Sequence, residues 1–290
     1  MKHNVKITLL LLFIFLFAQF IGLGVIYNYI DPVKSTETGK TEFQDLPLLG
    51  ERPEVDVGYS WIHIMFIIIL GTIIMLALVK YQLTWVWKGW FLIAVLITLL
   101  ISFAALMRIE IALMLALVLA IWKVFKPNVI VHNLTELFIY GGLAAIFVTW
   151  FNLLSASILM ILIAIYDAYA VWKSKHMITL AKSQAKAKVF AGLYIPYKLG
   201  RKSKKKVKTK KVKVRTALLG GGDIGFPLIF AGVVLKEVGV WQSFIIPIFA
   251  CLGLAGLLWF SKEKKFYPAM PFISAGCFVG LGVVYLLMLI

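Results

Sequence analysis

Apolar runs of about 20 residues recur along the whole chain, and they constrain its fold more than any other feature. A helix needs about 20 residues to cross about 30 Å of hydrocarbon. Because 62% of the 290 residues are hydrophobic and 15% are charged, the chain has too little polar surface to coat a soluble globule. We predict an all-α polytopic membrane protein with nine transmembrane helices. Their expected positions are 6–30, 60–80, two in 86–126, two in 133–172, 216–236, 241–260 and 267–290.

Basic and acidic residues are segregated along the chain. Segment 173–215 holds 16 of the 30 Lys and Arg residues and no acid, whereas 31–59 holds seven of the 13 acids and three bases. Cytoplasmic loops retain Lys and Arg near helix ends. We therefore predict that the N-terminus and 173–215 are cytoplasmic and that 31–59 and the C-terminus are extracytoplasmic. The chain then divides into a six-helix part, 1–172, a basic cytoplasmic loop, 173–215, and a three-helix part, 216–290.

The net charge of +17 allows two interpretations. Clustered Lys residues are typical of phosphate binding in nucleic-acid proteins. In a membrane protein, the same cluster is typical of a loop that contacts anionic lipid headgroups. We favour the lipid bilayer as the partner and expect no nucleic acid.

The acids outside the 31–59 loop fall into two groups. Four lie near predicted span ends, where snorkelling or interfacial water can satisfy them: Glu110, Glu136, Glu237 and Glu263. Asp167 and Asp223 remain, each inside a predicted span. A carboxylate in hydrocarbon is costly, so each is a candidate functional residue. The structural alternative is a hydrogen bond that joins two helices.

Depth relates the two aspartates to each other. Asp167 lies six residues before Lys173 and Asp223 eight residues after Arg215. Each is thus roughly 9–12 Å from the cytoplasmic end of its helix. The two helices are joined by the basic loop, which predicts antiparallel neighbours. Two carboxyl groups in one apolar pocket share a proton, as in an aspartic protease, and this chemistry needs no metal or cofactor. A proton-coupled transporter that uses the pair as a relay is the alternative.

Three short motifs stand in the last four predicted spans, in this order: Tyr166-Asp167, Gly220-Gly221-Gly222-Asp223 and Pro268-Ala269-Met270-Pro271. They resemble the YD, GxGD and PAL signatures of the presenilin and signal peptide peptidase family of intramembrane aspartyl proteases. Met270 stands where that family usually has Leu. The resemblance implies that Asp167 and Asp223 form the catalytic dyad and that Pro268 to Pro271 line the active site. It also implies single-span membrane proteins or peptides as substrates, a presenilin-like fold, and a microbial-type homologue that acts without an obligatory accessory subunit.

The residues beside the aspartates permit a functional and a structural interpretation. Gly220 to Gly222 could let a substrate chain approach Asp223, or could serve close helix packing. Pro268 and Pro271 could leave backbone groups for a substrate, or could simply begin a helix.

A short alternating pattern precedes the glycines. Its apolar or β-branched members are Val212, Val214, Thr216 and Leu218. Period-two alternation predicts a strand, which could hold an unwound substrate by β-augmentation. A disordered Lys-rich linker is the alternative.

Overall fold

The computed structural model describes residues 5–53, 55–174, 190–198, 214–261 and 267–289, together with Leu180 and Gln184. Most of these residues are helical. In chain order, the elements are α1 Val5–Asn28, α2 Pro32–Thr38, α3 Ser60–Lys80, α4 Thr84–Ala104, α5 Ile109–Phe125, α6 Val129–Phe147, α7 Leu153–Trp172, β1 Gly192–Lys198, β2 Val214–Gly220, α8 Gly221–Glu237, α9 Val240–Ser243, α10 Ile245–Phe260 and α11 Met270–Met288.

Within the described residues, seven helical segments are long and apolar enough to cross a membrane. They are Val5–Asn28, Ser60–Lys80, Thr84–Ala104, Val129–Trp150, Leu153–Trp172, Val240–Phe260 and Met270–Met288. Helices α5 and α8 are apolar but have only 17 residues each, which gives each a length of about 25 Å. The chain is therefore a multi-pass helical membrane protein.

Two predicted boundaries inside long apolar tracts can be compared with the structure. The division expected near Trp150 to Asn152 is confirmed. The side chain of Asn152 accepts a hydrogen bond from the N–H of Ser155, and the Ser155 hydroxyl accepts one from the N–H of Asn152. This reciprocal capping begins α7. The tract 86–126 is divided between Ala104 and Ile109, where no Gly or Pro indicates a turn.

The prediction of a span over 216–236 was wrong at its start. Residues 214–220 form β2, and α8 begins at Gly221. Strand β2 pairs antiparallel with β1, with Leu219 opposite Leu193 and Ala217 opposite Ile195. The strand predicted from the alternation at Val212 to Leu218 is present from Val214 to Gly220. The all-α fold prediction contained neither β1 nor the pairing of the two strands. The physical reason is that the backbone of 216–220 finds hydrogen-bond partners on β1, so it does not need helical ones.

Helix α8 lies at the centre of the bundle. It contacts α1, α6, α7, α10 and α11, and most of its residues from Ile224 to Leu235 are buried. A helix that is apolar on all sides is expected to be surrounded by other elements. Helices α4 and α5 add a second apolar cluster, whereas α3 is peripheral and buries only Ser60, Ile64 and Met75. The central helix carries Asp223 in its first turn.

The loop 31–59 folds over one end of the bundle. Arg52 donates hydrogen bonds to the carbonyl oxygens of Gln44 and Ala145, at 2.8 and 2.7 Å, and lies over the rings of Tyr29 and Phe43. Burial lowers the pKa of Arg52 to about 10, so the guanidinium stays charged at neutral pH. Arg52 thereby joins the loop to the end of α6.

Gly142 allows α4 and α6 to pack closely. A Cβ atom at this position would overlap the backbone of Thr98, including its carbonyl oxygen, whereas a Cβ atom at Gly24 in α1 would meet nothing within 4 Å. Small residues allow such close contact between membrane helices.

We therefore expect Gly142→Ala to lower the free energy of unfolding by about 1–3 kcal/mol, because overpacking forces the backbones apart. Gly24→Ala is the matched control and should leave stability equal to that of the wild type or slightly higher. Thermal unfolding of the purified protein in detergent would compare the two. Equal melting temperatures for both variants would show that α4 and α6 can separate without cost.

Candidate active site

Asp167 lies in the last turns of α7 and is buried, with 6% of its surface exposed. Its Oδ2 atom accepts a hydrogen bond from the N–H of Met270 at 3.1 Å, and the N–H of Ala269 also donates to its carboxyl group. The main chain at the start of α11 thus holds this carboxyl group in place.

The segment Pro268 to Pro271 explains why those N–H groups are available. Helix α11 begins at Met270, with Pro271 at the next position. The first N–H groups of a helix have no partner within the helix. Asp167 supplies the partner here, so the proline-rich start of α11 contacts the site through its backbone. The side chain of Met270 is buried, with 3% of its surface exposed.

Asp223 is the third residue of α8 and is half-buried. Its Oδ2 atom accepts a hydrogen bond from the N–H of Gly220 at 3.2 Å. Gly220 has extended backbone angles, φ −65° and ψ 151°, and forms the junction between β2 and α8. A carboxyl group at this position also meets the positive end of the helix dipole.

Helices α7 and α8 bring the two aspartates to the same level. The N–H of Leu153, the first residue of α7, donates to the side chain of Glu237, the last residue of α8. Asp167 lies 14 residues after Leu153, and Asp223 lies 14 residues before Glu237. Each is therefore about 21 Å along its helix from the shared end. The helices are in contact.

The three glycines before Asp223 have different surroundings. A Cβ atom at Gly221 would lie 2.7 Å from the hydroxyl oxygen of Tyr140 in α6. Gly222 is exposed, and its nearest neighbour would be the ring of Phe226 at 3.3 Å. Close packing within the protein therefore accounts for Gly221. Access for a substrate stays a prediction for Gly222.

The remaining predicted site residues that the structure describes lie in α7 or in β2. The hydroxyl of Tyr166 donates to Thr72 in α3 at 3.1 Å, so this side chain joins α7 to α3. Val214, Thr216 and Leu218 lie in β2, which leads directly into Gly220. Val212 lies outside the described residues.

Glu136 was predicted to lie near a span end, and this was wrong. Helix α6 begins at Val129, so Glu136 lies two turns inside it, with 1% of its surface exposed. Its Oε1 atom is 2.7 Å from the Nζ atom of Lys123, and its Oε2 atom accepts hydrogen bonds from the Tyr140 hydroxyl and the Gly192 N–H. A salt bridge to the neighbouring helix satisfies the charge, so interfacial water is not needed. The spacing of His132, Glu136 and Tyr140 at intervals of four could have revealed this polar face.

A pair of aspartates held by backbone N–H groups inside a multi-pass bundle defines the class of protein: a membrane protein with a buried two-carboxyl site. Comparison with protein families gives a match to "Signal-peptide peptidase, presenilin aspartyl protease" over residues 42–290. The chain belongs to this family and is an aspartic intramembrane protease.

Solved structures give the same fold. One, described as a presenilin family intramembrane aspartate protease in the C222 space group, aligns with a TM-score of 0.63 at 19% identity, covering 97% of this chain and 99% of the other. A second, in the P2 space group, aligns with a TM-score of 0.58 at 19% identity, covering 96% of each chain. No curated protein matches the sequence.

Met270 differs from the usual Leu of the family, but its contact with Asp167 is made by the main chain. We therefore expect Met270→Leu to keep protease activity within about twofold of the wild type. Met270→Ala should lower the free energy of unfolding by about 2–5 kcal/mol, because it leaves a cavity. Activity and melting temperature, measured on the same purified samples, would check both. An inactive but stable Met270→Leu variant would show that the side chain itself acts in the site.

Proposed function

We propose that Asp167 and Asp223 are the catalytic dyad of this protease and that they hydrolyse peptide bonds within the transmembrane segments of membrane proteins. The observation that carries the proposal is their equal distance along two antiparallel helices in contact, with each carboxyl group held by backbone N–H groups. The comparisons offer no support for the proton-coupled transporter.

The chemistry follows from two carboxyl groups that share one proton. The ionised aspartate takes a proton from a water molecule as its oxygen attacks the peptide carbonyl carbon. The protonated aspartate donates its proton to the carbonyl oxygen, which gives a tetrahedral gem-diol. The C–N bond then breaks as the leaving nitrogen takes up the proton held by the first aspartate, and one hydroxyl of the gem-diol returns a proton to the second aspartate. The products are a carboxylic acid and an amine, and no metal or cofactor takes part.

We further propose nine membrane spans, with the two 17-residue helices α5 and α8 counted among them. The dyad lies at the end of the bundle opposite the acidic loop, because Glu237 and Ala145 lie beside that loop and Asp223 is at the other end of α8. The positive-inside rule then puts the dyad, the N-terminus and segment 173–215 on the cytoplasmic side and the C-terminus outside. Water would reach the carboxyl groups from the cytoplasm.

We propose single-span membrane proteins as substrates, which must be unwound before their peptide bonds can be cut. The sheet offers one edge for the extended chain. On β1, the outward N–H and C=O groups of Gly192 and Tyr194 are bound by the side chains of Glu136, His132 and Asn133. On β2, the N–H groups of Thr216 and Leu218 point away from β1 by the register of the sheet. Within the described residues the sheet has no third strand, so a substrate could add one at β2.

The dyad is tested by cleavage of a single-span reporter by the purified chain in detergent. We expect Asp167→Asn and Asp223→Asn each to lower the rate at least about 100-fold, because an amide can neither take up nor donate the shared proton. The variants keep the shape of the side chain, so their melting temperatures should stay near that of the wild type.

The same assay separates the alternatives. Cleavage retained by either stable Asn variant would remove that aspartate from the dyad. A wild-type protein that cleaves no reporter but moves protons across liposomes in an aspartate-dependent way would favour the transporter. Since the purified chain is used alone, cleavage would also show that no accessory subunit is obligatory.

The substrate edge of β2 is tested by Leu218→Pro, which removes an N–H group that points away from β1. Proline is tolerated at such edge positions, so the sheet should stay intact. We expect cleavage to fall about tenfold or more with little change in melting temperature. Leu218→Val keeps the N–H and should retain cleavage. If Leu218→Pro cleaves the reporter as well as Leu218→Val does, the substrate does not pair with β2.

A further inference from the structure

Lys123, Glu136 and Tyr140 form a buried polar network beside the dyad. The Nζ atom of Lys123 is 2.7 Å from Glu136 Oε1 and also donates to the Thr135 hydroxyl at 3.0 Å. Lys123 and Glu136 have 2% and 1% of their surfaces exposed. Burying an ion pair costs desolvation energy, and an apolar pair of similar size is often at least as stable. Stability alone therefore does not account for this pair.

Glu136 holds strand β1 through its second carboxylate oxygen. Glu136 Oε2 accepts a hydrogen bond from the N–H of Gly192 at 3.1 Å. One turn earlier in α6, His132 Nε2 lies 2.7 Å from the carbonyl oxygen of Gly192, and Asn133 exchanges two hydrogen bonds with the main chain of Tyr194. This face of α6 thus binds β1 much as a neighbouring strand would.

Two connections run from Glu136 to the turn that contains Asp223. Through the sheet, Gly192 is opposite Gly220, and the N–H of Gly221 donates to the carbonyl oxygen of Ala191 at 3.1 Å. Through Tyr140, the hydroxyl that donates to Glu136 lies 2.7 Å from where a Cβ atom of Gly221 would be, which leaves no room for a side chain there. The network therefore fixes the turn on two sides.

We propose that Lys123, Glu136 and Tyr140 are positioning residues that set the distance between Asp223 and Asp167 by fixing the Gly220 to Asp223 turn. None of the three contacts Asp167 in the part of the chain that the structure describes, and Asp167 is held separately by α11. The network therefore determines the position of one member of the dyad relative to the other. This inference rests on the proposed dyad.

Tyr140→Phe tests the inference, because it removes one hydroxyl group and keeps the ring. Tyr29→Phe is the matched control, because the Tyr29 side chain is likewise buried and its hydroxyl also donates a hydrogen bond. The acceptor is the carbonyl oxygen of Ile101 at 2.8 Å, at the opposite end of the bundle from the dyad. Both variants should lose similar stability. We expect Tyr140→Phe alone to lower kcat about tenfold and to change the shape of the pH profile of kcat, because the dyad shares its proton across an altered distance. KM should stay within about twofold. Equal kcat and equal pH profiles in the two variants would overturn the proposal.

A double variant gives a second test, in which the activity losses of Gly221→Ala and Tyr140→Phe should not combine independently. The methyl group that Gly221→Ala adds would meet the Tyr140 hydroxyl oxygen at 2.7 Å, so the single variant should displace the turn and lose activity. Tyr140→Phe removes that oxygen, and the double variant should be at least about fivefold more active than Gly221→Ala alone. Strictly multiplicative losses would show that the two positions act independently, against the network.

The ion pair is tested by removing both charges together. Lys123→Met or Glu136→Gln alone leaves an unpaired polar group and could prevent folding. The double variant Lys123→Met/Glu136→Leu is neutral and also removes the oxygen that binds Gly192 and Tyr140. It should fold, yet kcat should stay at least about tenfold below the wild type. Full activity in the folded double variant would overturn a positioning role for the pair.

Hydrogen exchange gives a readout that does not depend on cleavage. We expect faster exchange of the amides of residues 214–223 in Tyr140→Phe than in Tyr29→Phe. Unchanged exchange there would overturn the network whether or not the dyad proposal holds. A different result would separate the two proposals. If exchange is faster in Tyr140→Phe but the Asp167→Asn and Asp223→Asn variants still cleave, the dyad is overturned and the network is not.

Discussion

The site depends on one constraint of the membrane: a backbone N–H group in hydrocarbon must have a partner. The start of every helix leaves such groups unpaired. Here the start of α11 donates to Asp167, and the N–H of Gly220, at the junction of β2 and α8, is bound by Asp223. The two carboxyl groups therefore stand where the backbone has donors to offer. The proline-rich start of α11 and the glycine-rich start of α8 thus both provide backbone N–H donors, one for each aspartate.

The two aspartates lie at one level when counted from the contact between Leu153 and Glu237, at the opposite end of α7 and α8. Counting from Arg215 in the sequence was wrong for Asp223, which is the third residue of α8 and not about 12 Å inside its helix, because residues 214–220 form β2. The contact between Asp167 and Met270 could not be predicted in this way. It joins residues 103 positions apart and is made by the main chain, so the residue type at 270 carries no signal for it.

Glu136 shows that distance from a predicted span end does not reliably identify the acids that lie at the membrane interface. The sequence gives an approximate helix boundary, and an error of four residues moves an acid from the interface into the core. Its partners also come from different elements: Lys123 from α5, Tyr140 from the next turn of α6, and Gly192 from a strand that the all-α prediction did not contain. A polar cluster of this kind becomes visible only when the neighbouring helix and the strand are in place.

The sheet and the short length of α8 both follow from the strand at residues 214–220. Residues 214–220 form a strand, and this leaves α8 with 17 residues, about 25 Å, where a full span needs about 30 Å. Strand edges carry unpaired N–H and C=O groups that cannot face lipid. The edge of β1 is covered by the side chains of α6, whereas no third strand within the described residues covers the edge of β2. We propose that water or a polar chain covers this edge. Since Asp223 lies only three residues beyond the end of β2, water at the strand edge would also lie within reach of the carboxyl group.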